Sequence, residues 1–230
     1  RFASDNRWGF FPSVSLGWNI HREGFMESLA DKVSNLKLRA SYGLVGNDST
    51  NGARFLYLPG TWQFYTGSMT VNPQDRGTNF GTNGNWLQAV RELTAGNPNV
   101  TWETATKINV GLDAGFFKDQ LHAYVDFFWE DRKDILVSNA STLPAITSLP
   151  ANYVNEGRVK NHGFEVTLNW EQKFGDFRYS ISPNFAFARN QVIEMLEVPP
   201  MYEYLSRTGL PVGQPFGYDL FEFYEQGATE

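Results

Sequence analysis

The sequence contains no cysteine, which excludes a disulfide framework, a thiolate zinc site, an iron–sulfur cluster and a cysteine nucleophile. Its three histidines, His21, His122 and His162, are far apart and form no recognisable metal motif. Lys and Arg number 19 against 25 Asp and Glu, a formal net charge of -6, which argues against a basic nucleic-acid-binding surface. No run of about 18 apolar residues occurs, which excludes a transmembrane helix and leaves a membrane β-barrel open.

Motifs for catalysis and nucleotide binding are also missing. The sequence has no phosphate-binding loop, dinucleotide fingerprint, nucleophile elbow or HExxH. Asp126 and Glu130 share one face of a predicted strand, but their i,i+4 spacing separates them by about 13 Å, whereas glycosidase carboxylates lie about 5–10 Å apart. We therefore expect no catalytic residue, no metal and no cofactor, and an enzyme built on a membrane barrel is the least favoured hypothesis.

What the sequence does contain is aromatic residues, 16% of the chain, and a repeated period-two alternation of apolar and polar residues. This alternation is the pattern of a β-strand with one apolar face. The segment Leu36 to Leu44 shows it clearly, and Trp102 to Phe116 extends it over a length unusual for a globular protein. The seven predicted strands are residues 11–20, 36–44, 102–116, 121–129, 164–170, 177–187 and 216–224. One or two helical turns are predicted at residues 26–33.

The connections between these strands differ in length in a regular way. Residues 117–120 and 173–176 are short turns, whereas residues 45–100, 138–163 and 191–213 form long loops. Short turns at one end and long loops at the other are typical of an up-and-down outer-membrane barrel, with the long loops extracellular. The sequence therefore predicts an all-β fold of antiparallel up-and-down strands.

Alternation alone does not say whether the apolar faces meet lipid or a soluble core. Aromatic residues are predicted near both strand ends, as in the belts of membrane barrels: Trp18, Phe116, Phe117, Trp170, Phe174 and Phe177 beside the short turns, and Trp8, Phe10, Trp102, Phe127, Trp129, Phe185 and Phe187 toward the long loops. This favours lipid. The alternative is a soluble secreted carbohydrate-binding β-sandwich with an aromatic core, which would fold alone in buffer without detergent.

Six segments, in order, resemble the C-terminal barrel of SusC/RagA-type TonB-dependent outer-membrane transporters. They are NRWGFFPSVSLGWNI (6–20), NLKLRASYGLVGN (35–47), NPNVTWETATKINVGLDAGFF (97–117), LHAYVDFFWEDRKDIL (121–136), VNEGRVKNHGFEVTLNW (154–170) and GLPVGQPFGYDLF (209–221). The resemblance spans nearly the whole chain. It implies that residues 1–230 form part of a 22-stranded transmembrane barrel, whose lumen holds a plug that this sequence lacks.

The resemblance also implies a location and partners. The expected location is the outer membrane of a Gram-negative, Bacteroidetes-like cell, and the expected activity is import of glycan oligomers or peptides. The implied partners are a SusD-like surface lipoprotein, the TonB complex acting through the plug, the remaining strands and outer-membrane lipid. The chain begins RFASDNRWGF without Met and ends at EQGATE, so we expect an internal portion of a longer protein.

Ligand contact, if it involves this chain, is expected in the long loops. Aromatic side chains there could stack on sugar rings or pack on peptide side chains. The predicted ligand-binding residues are Trp62, Phe64, Tyr65, Trp86 and Tyr153. Charged residues of alternating sign on the polar faces are expected to line the lumen and contact the plug: Lys37, Arg39, Glu103, Lys107, Asp113, Glu165 and Arg178.

Overall fold

The computed structural model describes residues 2–50, 54–60, 62–64, 78–80, 85–87, 90–92, 95–143 and 151–218. Within these ranges the chain consists mainly of β-strands, numbered here in chain order. They are β1 (Ser13–Asn19), β2 (Val33–Asn47), β3 (Trp62–Phe64), β4 (Thr78–Phe80), β5 (Asn85–Leu87), β6 (Val90–Glu92), β7 (Glu103–Phe116), β8 (Leu121–Ser138), β9 (Tyr153–Phe174), β10 (Phe177–Ile181) and β11 (Asn184–Glu194). Short 3-10 helices cover Ser4–Asn6, Ile20–Arg22, Gly24–Leu29 and Glu203–Leu205. No helix among these residues is long and apolar enough to cross a membrane.

Seven of the strands form one antiparallel sheet in the order β1-β2-β7-β8-β9, with β10 and β11 both paired to the far edge of β9. The long connection from β2 to β7 leaves this sheet and contains two small two-stranded sheets, β3 with β6 and β4 with β5. The β1–β2, β7–β8 and β9–β10 connections lie at one end of the large sheet, called here the turn end. The other end, where the long connections lie, is the loop end.

The predicted strand 177–187 is observed as two strands in one register. Ile181 pairs with Trp170 and Asn184 pairs with Thr167, so the register along β9 does not shift between β10 and β11. Pro183 interrupts the ladder because it has no N–H to donate, although its carbonyl still accepts a hydrogen bond from the Leu168 N–H at 3.0 Å.

Two strands are longer than the sequence pattern predicts, and the predicted loop 138–163 is correspondingly wrong. Strand β8 continues to Ser138 and β9 already begins at Tyr153. The apolar alternation ends near Trp129, but backbone pairing continues through β-bulges at residues 132–136, where Asp134 has a φ of 57°. Apolar–polar alternation shows only which face of a strand is apolar, whereas strand pairing depends on backbone hydrogen bonds. The alternation therefore underestimates the lengths of β8 and β9.

Two smaller predictions also differ from the structure. The helical turns predicted at residues 26–33 are a 3-10 helix at Gly24–Leu29, and β2 takes over from Val33. In the predicted strand 216–224, residues 216–218 are not in a strand, and residues 219–224 lie outside the described part of the chain.

Cross-strand register places the apolar positions of all the strands on one face of the sheet. One row across its middle is Leu38, Leu112, Val125, Val166 and Phe185. These side chains are not covered: Leu38 is 38% exposed, Leu112 36% and Phe185 59%. A β-sandwich would bury this face beneath a second sheet. No described strand packs there, so the structure provides no core for the soluble alternative.

Candidate functional site on the polar face and at the loop end

The opposite face of the sheet is polar, and its centre is an ion-pair bridge across three strands. The Arg39 guanidinium of β2 donates through Nε to the Asp113 carboxylate of β7 at 2.9 Å, and through Nη2 to the Asp126 carboxylate of β8 at 3.0 Å. All three side chains are partly shielded, with Asp113 only 16% exposed. Charge-assisted bonds to two carboxylates fix the guanidinium plane against the sheet.

The Arg39 bridge depends on a glycine. Gly111 lies in register between Arg39 and Asp126. A Cβ there would lie 2.6 Å from Asp126 Oδ1 and 2.7 Å from Arg39 Cζ. The absence of a side chain at Gly111 therefore gives Arg39 the space to cross β7 and reach Asp126 on β8.

A second network of charged residues lies on the polar face nearer the loop end. Arg132 donates to Glu130 at 2.9 Å and approaches Glu103 at 3.4 Å, while the Lys107 ammonium lies 3.8 Å from Glu130. The predicted charge lattice is therefore partly observed, with Arg39, Asp113, Lys107, Glu103 and the exposed Arg178–Glu171 pair all in ion pairs. Neither Lys37 nor Glu165 joins an ion pair with a described residue.

Two hollows flank the Glu130–Arg132 pair. The first, of about 170 Å³, is bounded by Asn47, Glu103 and Lys107, and the second, of about 190 Å³, by Asn161, Asn190 and Val212. Asn161 Oδ1 is buried and has no hydrogen-bond partner among the described residues. No sequence signal identifies Arg132, Asn161 or Asn190 beforehand, because strand register alone brings them together.

The described residues of the polar face show no catalytic arrangement. Asp126 is bound by Arg39, and Glu130 by Arg132 and Lys107, so neither carboxylate is poised as a general acid or base. Among the described residues no three His, Asp or Glu side chains are grouped to hold a metal ion.

Four of the five predicted ligand-binding aromatics are in described strands, and Tyr153, predicted in the loop 138–163, is the first residue of β9. Trp62 and Phe64 are in β3, opposite Glu92 and Val90, and Trp86 in β5 pairs with Asn79. Tyr153 begins β9 and is 40% exposed, and its carbonyl accepts a hydrogen bond from Asn97 Nδ2 at 2.8 Å. Tyr65 lies outside the described residues. The structure does not bring these residues into one described site.

A cluster of buried side chains lies at the loop end, where it holds the start of the chain against the beginning of β7. Phe2, Leu56 and Val100 form a small apolar cluster, with Trp102 packed against it and Val100 fully buried. Asn6 Nδ2 donates to the Val100 carbonyl at 3.2 Å, and Trp102 Nε1 donates to the Asn6 carbonyl at 3.1 Å. Gly46 takes part as well, since a Cβ there would overlap the Phe11 ring that packs edge-on against Trp102.

Glu197 organises the connection that follows β11. Its carboxylate accepts hydrogen bonds from the Arg207 N–H at 2.8 Å, the Thr208 N–H at 3.0 Å and the Ser206 hydroxyl at 3.3 Å. The segment thus closed presents Tyr202 and Tyr204, whose rings stack with centroids 5.5 Å apart. Sequence analysis missed Glu197, because a lone Glu in a Pro-containing loop gives no signal of the turn that brings residues 206–208 back to it.

The closure by Glu197 should depend on pH. The backbone N–H groups of Arg207 and Thr208 bind the ionised carboxylate and hold the pKa of Glu197 below its usual value of 4.5. A lowered folded-state pKa means that the contribution to stability is complete above 4.5 and is lost as the pH falls through the folded value. We expect the protection of the Arg207 and Thr208 amides against hydrogen exchange, corrected for the intrinsic pH dependence of the exchange rate, to fall on acidification below pH 4.5. Glu197→Gln should exchange fast at neutral pH and lose this dependence; an unchanged profile would contradict the assignment.

Fold and faces together define a class of protein. The sheet is an antiparallel meander with an exposed apolar face and an ion-paired polar face, and no described strand pairs with the outer edge of β1 or of β11. On β8 the apolar positions run from Leu121 to Trp129, a length of about 26 Å along the strand, which suits a membrane crossing of about 9–11 tilted residues. This is the wall of a transmembrane β-barrel.

The particular family follows from comparison with known proteins. Residues 1–218 match the model of the TonB-dependent receptor-like β-barrel family, and the chain belongs to this family. Membership agrees with the sequence-based conclusion that the chain is not an enzyme.

Individual relatives agree with the family. The chain is 32% identical over 197 residues to TonB-dependent receptor SusC of Bacteroides thetaiotaomicron, covering 85% of this chain and 18% of SusC. It is 29% identical to TonB-dependent receptor P39 of Formosa agariphila, covering 99% of this chain and 20% of that protein. Among solved structures, the RagAB peptide importer in its closed-closed state matches with a TM-score of 0.66 and 27% identity, over 86% of this chain and 19% of that chain. The chain thus spans about a fifth of the length of these relatives.

Proposed function

We propose that this chain is part of the barrel wall of an outer-membrane TonB-dependent transporter that imports glycan oligomers or peptides. The observation that supports this most directly is the pairing of an exposed apolar face with an ion-paired polar face on one open sheet. In a 22-stranded barrel the first face would contact lipid and the second would line a lumen. The remaining strands and a plug would come from the rest of a longer polypeptide.

The proposed mechanism involves no covalent chemistry. Ligand would be captured at the loop end beneath a SusD-like surface lipoprotein, and force transmitted by the TonB complex would then rearrange the plug. Within this chain the Arg39 bridge and the Glu130–Arg132 network would form a fixed wall for that movement, because each guanidinium ties carboxylates of neighbouring strands together.

Both ligand classes have support from the chain. Similarity to the RagAB peptide importer favours peptides. The aromatic residues in the β2–β7 connection favour glycans, since aromatic faces stack on sugar rings. We propose that Trp62, Phe64, Tyr65, Trp86 and Tyr153 provide these contacts, with the hydrogen-bonding groups of the neighbouring loop residues.

The first test is biochemical. Outer membranes of the native source would be extracted with detergent, and proteins that co-purify with peptides of this chain would be identified by mass spectrometry. We expect recovery on a polypeptide about five times longer than this chain, beside a surface lipoprotein. Recovery of a detergent-independent soluble species of about this length would overturn the proposal.

The second test concerns the ligand. Trp62→Ala in the full-length protein should weaken uptake or binding of the ligand by about 3–10-fold, the value of a single aromatic stacking contact. Trp8→Ala is the matched control, because Trp8 is an exposed tryptophan outside the long loops. Equal effects of both substitutions would remove the ligand role from Trp62.

A further inference from the structure

The β2–β7 connection, which carries four of the five proposed ligand-binding aromatics, leaves and returns through one narrow neck at the loop end. The neck consists of residues 56–59 on the departing arm and 96–97 on the returning arm. The Asn97 N–H donates to the Leu56 carbonyl at 2.8 Å. Gly96 brings the two arms into backbone contact, since a Cβ there would lie 2.4 Å from the Leu58 carbonyl carbon and the Pro59 nitrogen. The contacts that hold Asn97 therefore hold both arms.

Two asparagine side chains hold the returning arm against the start of β9. Asn97 Nδ2 donates to the Tyr153 carbonyl at 2.8 Å. Further along the same arm, the Thr101 N–H donates to Asn155 Oδ1 at 3.0 Å, and the Thr101 carbonyl accepts from Asn155 Nδ2 at 3.0 Å. The Asn155 amide therefore binds both backbone groups of Thr101, as a neighbouring strand would. Asn97 and Asn155 are called here the amide clasp.

The amide clasp acts where backbone pairing has ended. The ladder between β7 and β8 stops where Thr104 pairs with Lys133, directly before Asp134, whose φ of 57° marks the bulged part of β8. Thr101 lies beyond this pair and belongs to no strand. Asn155 Nδ2 also donates to the Asp134 carbonyl at 2.7 Å, so one amide joins the bulge, the returning arm and β9. Side-chain amides, and not strand pairing, therefore attach this arm to β9.

We propose that Asn97 and Asn155 are positioning residues of the ligand site. They set the distance between the β2–β7 connection, with four of the proposed ligand-binding aromatics, and the start of β9, where Tyr153 is the fifth. They act through these aromatic residues and do not themselves contact ligand. This inference rests on the proposed function, because it assigns a role to the residues that position the aromatics proposed to bind ligand there.

The first experiment measures this distance without ligand. Spin labels at Arg54→Cys and Ala151→Cys, two exposed positions, would report one on each connection in the full-length protein in lipid nanodiscs, with any other cysteine replaced by serine. The clasp variant, Asn97→Asp/Asn155→Asp, keeps the size and the acceptor oxygen of each side chain but removes both Nδ2 donors. We expect double electron–electron resonance to show a longer and broader label distance in the clasp variant than in the wild type.

Asn6→Asp is the matched control for the clasp variant. Asn6 Nδ2 donates to the Pro98 and Val100 carbonyls of the same returning arm, but it joins that arm to the start of the chain and not to β9. We expect Asn6→Asp to lower the free energy of unfolding while leaving the label distance unchanged. An unchanged distance in the clasp variant, or an equal change in Asn6→Asp, would overturn the inference.

The second experiment measures binding of the full-length protein to a glycan array and to an array of random octapeptides. We expect the clasp variant to bind the best ligand of the wild type about 3–10-fold more weakly, the equivalent of one net hydrogen bond. In a Tyr153→Ala background this loss should shrink, because the distance to a missing ring no longer matters. Undiminished affinity, or full additivity with Tyr153→Ala, would overturn the positioning role. Binding of neither array by the wild type would contradict the proposed function, and the label distance would still test the clasp.

Discussion

Leu38→Arg and Val110→Arg should each destabilise the membrane-inserted protein by about 2–4 kcal/mol, because both place a charge near the centre of the apolar band. Leu38 pairs with Leu112 in the middle row, and Val110 pairs with Ala40 in the row beside it. Leu38 is 38% exposed and Val110 is 36% exposed, and no described element packs against them on this face. The measurement is the free energy of unfolding of the full-length protein in phospholipid vesicles.

Ser41→Arg is the matched control for these two substitutions. Ser41 lies between Leu38 and the loop end on the polar face of β2, where it pairs with Ser15 and Asn109. An arginine there would enter a polar environment and should cost much less. Equal damage at all three positions would show that the two faces are wrongly assigned.

Arg39→Met should destabilise the protein by about 2 kcal/mol, because it leaves two partly buried carboxylates without a cation. Asp113 and Asp126 are only 16% and 25% exposed, and each currently receives a charge-assisted hydrogen bond from the guanidinium. The estimate stays below the cost of breaking a fully buried pair because Arg39 itself is 34% exposed. Urea unfolding in vesicles would measure it.

Arg178→Met is the control for Arg39→Met. The Arg178–Glu171 pair has a similar distance, 3.0 Å, but its side chains are 69% and 54% exposed, so water screens it and its loss should cost at most about 0.5 kcal/mol. A double variant, Arg39→Met with Asp126→Leu, should recover part of the lost stability. If Arg39→Met and Arg178→Met lowered the free energy of unfolding by the same small amount, the Arg39 bridge would contribute no more to stability than an exposed ion pair.

The strands could be predicted from the sequence wherever one face contacts an apolar phase. The segments 36–44, 102–116 and 121–129 alternate because every second side chain lies in the exposed apolar band, and each is found within an observed strand except for Trp102, which precedes β7. Beyond the apolar band the strands need no apolar residue at every second position, since both of their faces contact polar surroundings. The extension of β8 to Ser138 and the early start of β9 at Tyr153 therefore leave no period-two signal.

The candidate site was less predictable. Several charged residues of the polar face were identified in advance, but Arg132 and the ion-pair partners were not, because a pair such as Arg39–Asp126 is separated by 87 residues and is brought together by register. The space at Gly111 that permits this pair has no signature in a single sequence. The predicted aromatic ligand residues remain predictions, since their side chains are not described together.

The sequence by itself determined the all-β class, the separation of apolar and polar faces, the contrast between short turns and long loops and the likeness to TonB-dependent barrels, because period-two patterning and turn composition are local properties of the chain. The tertiary structure alone decided which charges meet and where Glu197 closes its loop. Each of these depends on the alignment of residues far apart in sequence, and only the cross-strand register fixes that alignment.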